Sequence, residues 1–144
     1  MLVAAEQRLE AALGPAGSGL LKSVDGAISF QALAARPPQR HGTPAAFVIP
    51  IAQRAEPSSL VNAVRQRTTQ RFGVLLALAG RNRPRGDGLS EELEEIEAAV
   101  KGVFRGWQAT EEHEPAEHRR SATSAFANGL LFYLIEFETA RQES

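Results

Sequence analysis

The chain lacks several features, and each absence excludes a class of function. None of its 144 residues is cysteine, so disulfide bonds, thiolate catalysis and cysteine-based zinc sites are excluded. No apolar run approaches the ~18 residues of a membrane span, and the first residues form an amphipathic pattern that includes acids. The net charge of −1 provides no global attraction to nucleic acid or anionic membranes. We therefore expect a protein that is not evidently exported and has no membrane partner.

Motifs for catalysis or for cofactor binding are also missing. Neither a phosphate-binding loop nor a nucleophile elbow occurs, and the glycine-rich segment 14–19 follows a helix pattern and lacks the required lysine. His113 and His118 flank a glutamate, but a spacing of five would turn the rings about 140° apart on a helix. Pro115 would break that helix in any case, and we interpret the segment as an exposed loop. We expect no catalytic residue, no cofactor and no metal site.

The clearest strand signal lies in residues 62–80. Its second half is apolar on both faces, since Phe72, Val74 and Leu76 alternate with Leu75 and Ala77. A short run of this kind is typical of a strand that is buried on both sides. The pattern therefore predicts the middle strand of a sheet.

The first half of the same segment is polar on both faces and creates a conflict of length. As one strand, residues 62–79 would span about 55–60 Å, whereas a domain of this size has a radius of gyration of about 14–15 Å. Two solutions remain open: the strand bends at a bulge near residues 71–73, or an arm at about 58–71 leaves the body. Alternatively, Ser58 and Ser59 could cap a helix that runs to about Arg67.

The remaining patterns complete the expected fold. Helical periodicity predicts helices at 2–13 and 90–105, the second with Ser90 as its N-cap, and more weakly a short helix at 27–35. Further strands are predicted at 45–53, 117–127 and 130–140, with a possible strand at 20–24 that ends in an Asp25-Gly26 turn.

Two details specify the sheet further. Pro50 predicts that its strand lies at an edge or bends there, and Asn128-Gly129 predicts a hairpin turn. Trp107, just past the second helix, is expected to pack between helix and sheet. Together the patterns predict a single α+β domain over residues 1–144, with a mainly antiparallel sheet of about four strands packed by two or three helices.

Charged residues supply the candidate functional surface. They occur as arginines on one side of the polar half-strand, arginines in the loop that follows the strand, and acids on the exposed face of the second helix. In that order they are Arg65, Arg67, Arg71; Arg81, Arg83, Arg85; and Glu91, Glu94, Glu95. Such residues are either solvated or form a charged contact surface, and arginine suits planar pairing with carboxylates across an interface.

Four segments carry a resemblance to a known family. They are 44–51 with its proline-bearing strand, 64–78, the Gly-Trp-Gln at 106–108, and the closing Glu-Phe-Glu-Thr at 136–139. In order and spacing over nearly the whole chain, these segments resemble the tail terminator (tail completion) proteins of tailed phages and prophages.

The resemblance implies a structural protein with an α+β fold. Such proteins form a six-membered ring on the last ring of the tail tube, stop tube polymerisation and present the surface that joins the head. The implied partners are further copies of the chain, the tail tube protein and a neck or head–tail connector protein, while genome DNA passes through the ring. The implied location is the head-proximal end of the virion tail, after assembly in the host cytoplasm.

Three other functions remain open from the sequence. One is a small hydrolase, for which no residue can be named. A neck or head–tail connector protein would have similar size and charge. A small intracellular nucleic-acid-binding module would use the arginines, and its DNA binding would depend steeply on salt. In either of the two phage functions, the arginines and glutamates are candidate contacts between subunits or with the tube.

Overall fold

The computed structural model describes residues 1–27, 33, 35, 42–56, 66–79, 89–127 and 129–143. Within these ranges the chain forms two helices and five strands. In chain order they are α1 (Leu2–Leu13), β1 (Ser23–Gly26), β2 (Ala45–Ala55), β3 (Gln66–Ala79), α2 (Leu89–Phe104), β4 (Glu117–Ala127) and β5 (Leu130–Glu143). The α+β class and the two longer predicted helices are confirmed.

The strands form one mixed sheet in the order β1-β2-β3-β5-β4. β1 runs parallel to β2, and all other neighbours are antiparallel. The prediction of about four mainly antiparallel strands therefore describes the larger part of the sheet, and β1 adds a fifth, parallel strand. β3 lies in the middle, as its apolar residues predicted.

β1 begins three residues later than its sequence pattern predicts. Leu21 is fully buried, and its backbone N–H donates to the carbonyl of Leu13 at 2.9 Å, so it completes the end of α1 instead of entering the sheet. Asp25 and Gly26 pair with Phe47 and Val48 of β2. The predicted turn at these two residues is wrong, because the sheet extends through them.

One face of the sheet packs against both helices. Phe72, at the centre of this core, is fully buried. Its ring centroid lies 5.3 Å from that of Phe104, 5.4 Å from Phe137 and 6.1 Å from Trp107. Trp107 thus packs between helix and sheet, as expected. These edge-on and stacked contacts join α2 to β3 and β5.

The other face of the sheet is apolar as well. Phe47, Leu75, Ala77 and Phe132 are buried there, and Leu33 packs against them. β3 is therefore buried on both sides over its second half, which confirms the prediction. The weakly predicted helix at 27–35 lies largely outside the described residues.

The irregularity of the sheet near residues 71–73 lies in the strand that neighbours β3 and not in β3 itself. β3 is 14 residues long and pairs with β5 without interruption. The register shift lies in β2, where Ile51 is inserted between the partners of Phe72 and Arg71. The expected bulge in β3 is therefore wrong. The register shift in β2 comes directly after Pro50, where the sequence predicted an edge position or a bend. An extra residue in one strand of a pair increases its local twist and bends it.

The polar half of β3 remains in the sheet as far as it is described. Residues 66–71 pair with β5, and residues 68–71 pair also with β2. The helix alternative is wrong for Gln66 and Arg67, which are strand. Residues 57–65 lie outside the described residues, so an arm at about 58–71 stays a prediction.

The hairpin between β4 and β5 and the first residues of α2 each bear on a predicted detail, the turn at residues 128–129 and the N-cap of α2. Ala127 pairs with Leu130 across a two-residue connection, and Gly129 has φ 74°, as a type I′ turn requires; Asn128 lies outside the described residues. α2 begins at Leu89. Ser90 therefore lies inside the first turn, and its predicted N-cap role is wrong.

Candidate assembly surfaces

Arg67 forms ion pairs within the chain at one end of the sheet. Its Nε and Nη2 donate to the Glu114 carboxylate at 2.8 and 3.2 Å, and its Nη1 donates to Glu56 Oε1 at 3.0 Å. The bond to Glu114 is the main cause of a raised pKa for Arg67. Because Glu56 follows β2 and Glu114 precedes β4, one guanidinium joins two connecting segments across β3 and β5. Its side chain stays 40% exposed.

Arg71 lies on the same face of β3 and pairs with Glu138 of β5. Its Nε donates to Glu138 Oε1 at 3.0 Å, and Arg119 of β4 donates to the other carboxylate oxygen. Burial acts to raise the pKa of Glu138, but the hydrogen bonds from Arg71 and Arg119 outweigh it and lower the pKa below its ordinary value. This network links the three strands β3, β5 and β4.

Of the six arginines predicted as contacts, only these two are described. Both have carboxylate partners inside the chain, which leaves less of their charge for another molecule. Arg65, Arg81, Arg83 and Arg85 lie outside the described residues. Arg119 and Arg120 also pair internally, with Glu138 and Glu136, so the described strands do not present a continuous basic stripe of the kind that nucleic acid favours.

The three predicted acids form an unpaired face on α2. Glu91, Glu94 and Glu95 are exposed, and none forms an ion pair with a described residue. Glu97 differs, because it pairs with Lys101 at 3.0 Å and hydrogen-bonds to Tyr133 of β5. Burial acts to raise the pKa of Glu97, but these two hydrogen bonds lower it overall. At Glu97, α2 therefore lies over β5 of the sheet.

His113 was expected in an exposed loop, and that prediction is wrong. The residue is 4% exposed, and its ring contacts Thr110 Oγ1 at 2.7 Å and Gln70 Oε1 at 3.3 Å. Burial and the nearby Arg141 lower its pKa. The next residue, Glu114, donates its backbone N–H to Ala140 at 2.7 Å. These bonds hold the segment after α2 along β5. Among the described residues no group of acids and histidines could hold a metal ion.

Two apolar surface features were not predicted. Phe126 on β4 is 64% exposed, and Val3 on α1 is 66% exposed. Val3 borders a pocket of about 560 Å³ between the start of α1 and the bulge of β2, with lining residues that include Met1, Leu2, Pro50, Ile51 and Arg71. The pocket combines three separate stretches of chain, so no local pattern could have indicated it. Phe126 could have been noticed as an aromatic in an otherwise polar and small-residue strand.

Comparison with known proteins identifies the family. The family model described as "Phage tail terminator protein" matches residues 4–143, which include every described helix and strand except the first two residues of α1. The chain belongs to the phage tail terminator family. Members of this family are structural components of the virion tail, and the predicted family is confirmed.

A solved structure gives an independent comparison of the fold. A chain of the virion of a native gene transfer agent particle superposes with a TM-score of 0.58 and 12% sequence identity, covering 99% of this chain and 95% of that chain. At this identity the comparison shows a shared fold. No curated protein matches the chain. Neither described helix has the length and apolar composition needed to cross a bilayer.

Proposed function

We propose that this tail terminator family member forms a ring, six-membered in the family, at the head-proximal end of the tail tube. There it ends tube polymerisation and provides the surface to which the head joins. The observation that carries the proposal is the family match over residues 4–143. The similar fold of a chain in a gene transfer agent virion supports it. The tail tube protein and a neck or connector protein are the proposed neighbours, with genome DNA passing through the ring without specific binding.

A ring built from identical subunits needs two different, complementary patches on each subunit. The acid face, Glu91, Glu94 and Glu95, is one candidate patch because no described cation neutralises it. The arginines of the β3 half-strand and the following loop are the candidate second patch or the contact with the tube. They are Arg65, Arg67, Arg71, Arg81, Arg83 and Arg85. We propose these residues as contacts from their charge, and Arg67 and Arg71 would have to share or exchange their internal partners.

Deletion of the gene from its phage or prophage tests the proposal. We expect negative-stain microscopy to show tubes of uncontrolled length that do not join heads, with normal particles restored by the gene in trans. Tails of normal length joined to heads would contradict the proposal. Finished tails of normal length without heads would indicate a neck or connector protein instead.

A further inference from the structure

We propose that neighbouring copies of the chain in the ring join by a knob and a socket, with Phe126 of one copy entering the apolar pocket of the next. The knob is Phe126 on β4. The socket is the pocket lined by Met1, Leu2 and Val3 of the N-terminal segment and by β2 around its bulge. This inference rests on the proposed ring and specifies its contact.

The knob residue, Phe126, is exposed although the residue that it pairs with is buried. Phe126 pairs with Leu131, whose side chain is 7% exposed in the helix-side core, yet Phe126 is 64% exposed on the edge strand. Phe126 and Val3 are the two large apolar side chains that are exposed in the described part of the chain. An aromatic side chain buries about 150–250 Å² when it is enclosed, and such residues often dominate the energy of an interface.

The knob and the socket lie at opposite corners of the sheet. Two strands, β3 and β5, lie between β2 and β4. The three spacings of ~4.8 Å separate β2 from β4 by about 14 Å. Phe126 pairs with Leu131, which pairs with Leu78 of β3, so Phe126 lies level with Leu78 along the strands. The socket lies level with Gln70 of β3. Those eight residues correspond to about 26 Å along the strand. A contact between two different and distant patches is heterologous and propagates from subunit to subunit, as a ring requires.

Charge identifies a second copy of the chain as the occupant. α2, which carries the acid face, lies over the same half of the sheet as Phe126, because Glu97 bonds to Tyr133 of β5, which in turn bonds to Ser121 of β4. On the socket side, Arg71 borders both the pocket and an adjoining groove, whose charged lining residues are Arg54, Arg67, Arg71, Glu56 and Glu138. Arg54 forms no ion pair with another described residue. The acid face thus carries three carboxylates without an ion pair to a described residue, and the groove beside the socket is lined by three arginines and two glutamates. These two surfaces of neighbouring copies therefore have opposite charge and attract each other.

Particle yield tests the knob directly. In a phage that lacks the gene, we expect Phe126→Asp to lower the yield of finished particles at least about tenfold relative to wild type. Phe126→Leu keeps an apolar knob and is expected to stay within about twofold, as is Ser124→Asp, which places the same charge two residues away on β4. Thermal unfolding of each purified variant establishes that it is folded. Wild-type yield from folded Phe126→Asp would overturn the proposal.

Cross-linking identifies what the knob contacts. Because the natural chain has no cysteine, a chain carrying both Ser124→Cys and Gln53→Cys has only these two thiols, one beside the knob and one lining the socket. In tails treated with a flexible bismaleimide, we expect a ladder of covalent multimers from this chain and none from either single variant. A dimer from Ser124→Cys alone would show an isologous contact and overturn the proposal. Cross-links only to a different protein, or none in normal tails, would also overturn it.

The outcomes separate this inference from the proposed function. If tubes remain normal in length when the gene is deleted, the proposed function itself fails. If deletion gives over-long tubes but folded Phe126→Asp behaves as wild type, the chain still ends the tail and only the knob-and-socket contact is wrong.

Discussion

At the scale of single residues, Phe72 is a fully buried aromatic side chain at the centre of the helix-side core. It is fully buried and contacts the rings of Phe104, Phe137 and Trp107. Removing a buried phenylalanine ring costs its transfer free energy and leaves a cavity. We expect Phe72→Ala to lower the free energy of unfolding by about 3–5 kcal/mol in chemical denaturation.

Phe126→Ala is the matched control, because it makes the same chemical change at an exposed position. We expect its effect on the free energy of unfolding of the free chain to stay within about 0.5 kcal/mol. Similar losses for both variants would contradict the contrast between a core ring and a surface knob.

Glu138 gives the protein a pH dependence on the acid side. Its side chain is 16% exposed, and hydrogen bonds from Arg71 and Arg119 lower its folded-state pKa despite burial. A group whose pKa is lower when folded stabilises the protein above its unfolded-state pKa, and this contribution is lost as the pH falls through the folded-state pKa. We expect Glu138→Gln to be less stable at neutral pH and to lose less stability below the ordinary glutamate value of 4.5.

The control for Glu138 is Glu117→Gln. Glu117 also pairs with Arg119, but at 3.5 Å and with a side chain that is 68% exposed, where an ion pair contributes little. Unfolding free energies measured from pH 7 downwards check the prediction. The interpretation of Glu138 is wrong if both variants show the wild-type dependence on pH.

Single-residue interpretation predicted which face the charges occupy but not their partners. Arg67 and Arg71 were correctly placed on one face by the period of a strand. Their partners Glu114 and Glu138 lie 47 and 67 residues away in the chain, and no pattern in one sequence connects them. The burial of His113 was not predicted for the same reason, since its contact partner Gln70 lies 43 residues away in the chain.

At the scale of elements, two glycines with equal space around them allow the effect of backbone conformation on stability to be measured without an effect of side-chain packing. A Cβ added at Gly102 in α2 or at Gly106 just after it would meet nothing within 4 Å. Gly106 has φ 71°, whereas Gly102 is helical. We expect Gly102→Ala to stabilise the fold by about 0.5–1 kcal/mol, because alanine loses less conformational freedom in a helix.

Gly106→Ala is expected to have the opposite sign. A side chain at positive φ is strained, so we expect a loss of about 1 kcal/mol in the free energy of unfolding. Thermal or urea unfolding of the two variants gives the comparison. Stabilisation by Gly106→Ala would show that the backbone after α2 does not need its left-handed conformation.

The elements that were predicted well are those with long, complete patterns. β3 was recognised because both of its faces are apolar over its second half, and α2 because its apolar residues recur over four turns. β1 was placed three residues early because a strand of four residues is too short to show a period. An apolar residue such as Leu21 also fits the sequence pattern equally well in a strand and at the end of a helix. The bulge in β2 follows Pro50, where a bend was expected.

At the scale of the whole molecule, the acid face of α2 is a described surface whose charges have no ion-pair partner among the described residues. Replacing Glu91, Glu94 and Glu95 by glutamine removes three charges without changing side-chain size. We expect at least about a tenfold loss of finished particles, since complementary charge guides the encounter of subunits. The free energy of unfolding should change by less than about 0.5 kcal/mol, because the positions are exposed.

A matched triple variant makes the same change elsewhere. Glu10, Glu111 and Glu112 are exposed, lie outside α2 and lower the net negative charge equally when changed to glutamine. We expect near-normal particle yield from this control. Equal loss from both triple variants would assign the effect to net charge and not to the acid face.

At this scale the order of elements was enough to predict the family, while the surfaces were not predictable. The socket combines the start of α1, the bulge of β2 and the middle of β3, which meet only in the folded chain. The knob is one aromatic residue whose exposure depends on its place at the sheet edge.

The most direct measurement of the central claim is the growth of tail tubes in the presence of the purified protein. Tubes of the cognate tail tube protein would be elongated with excess subunits, and their lengths followed by electron microscopy before and after addition. We expect elongation to stop and a density to appear at one tube end, with no effect from folded Phe126→Asp. Continued elongation at the same rate, with no protein bound at the tube ends, would contradict the claim that this chain terminates the tail.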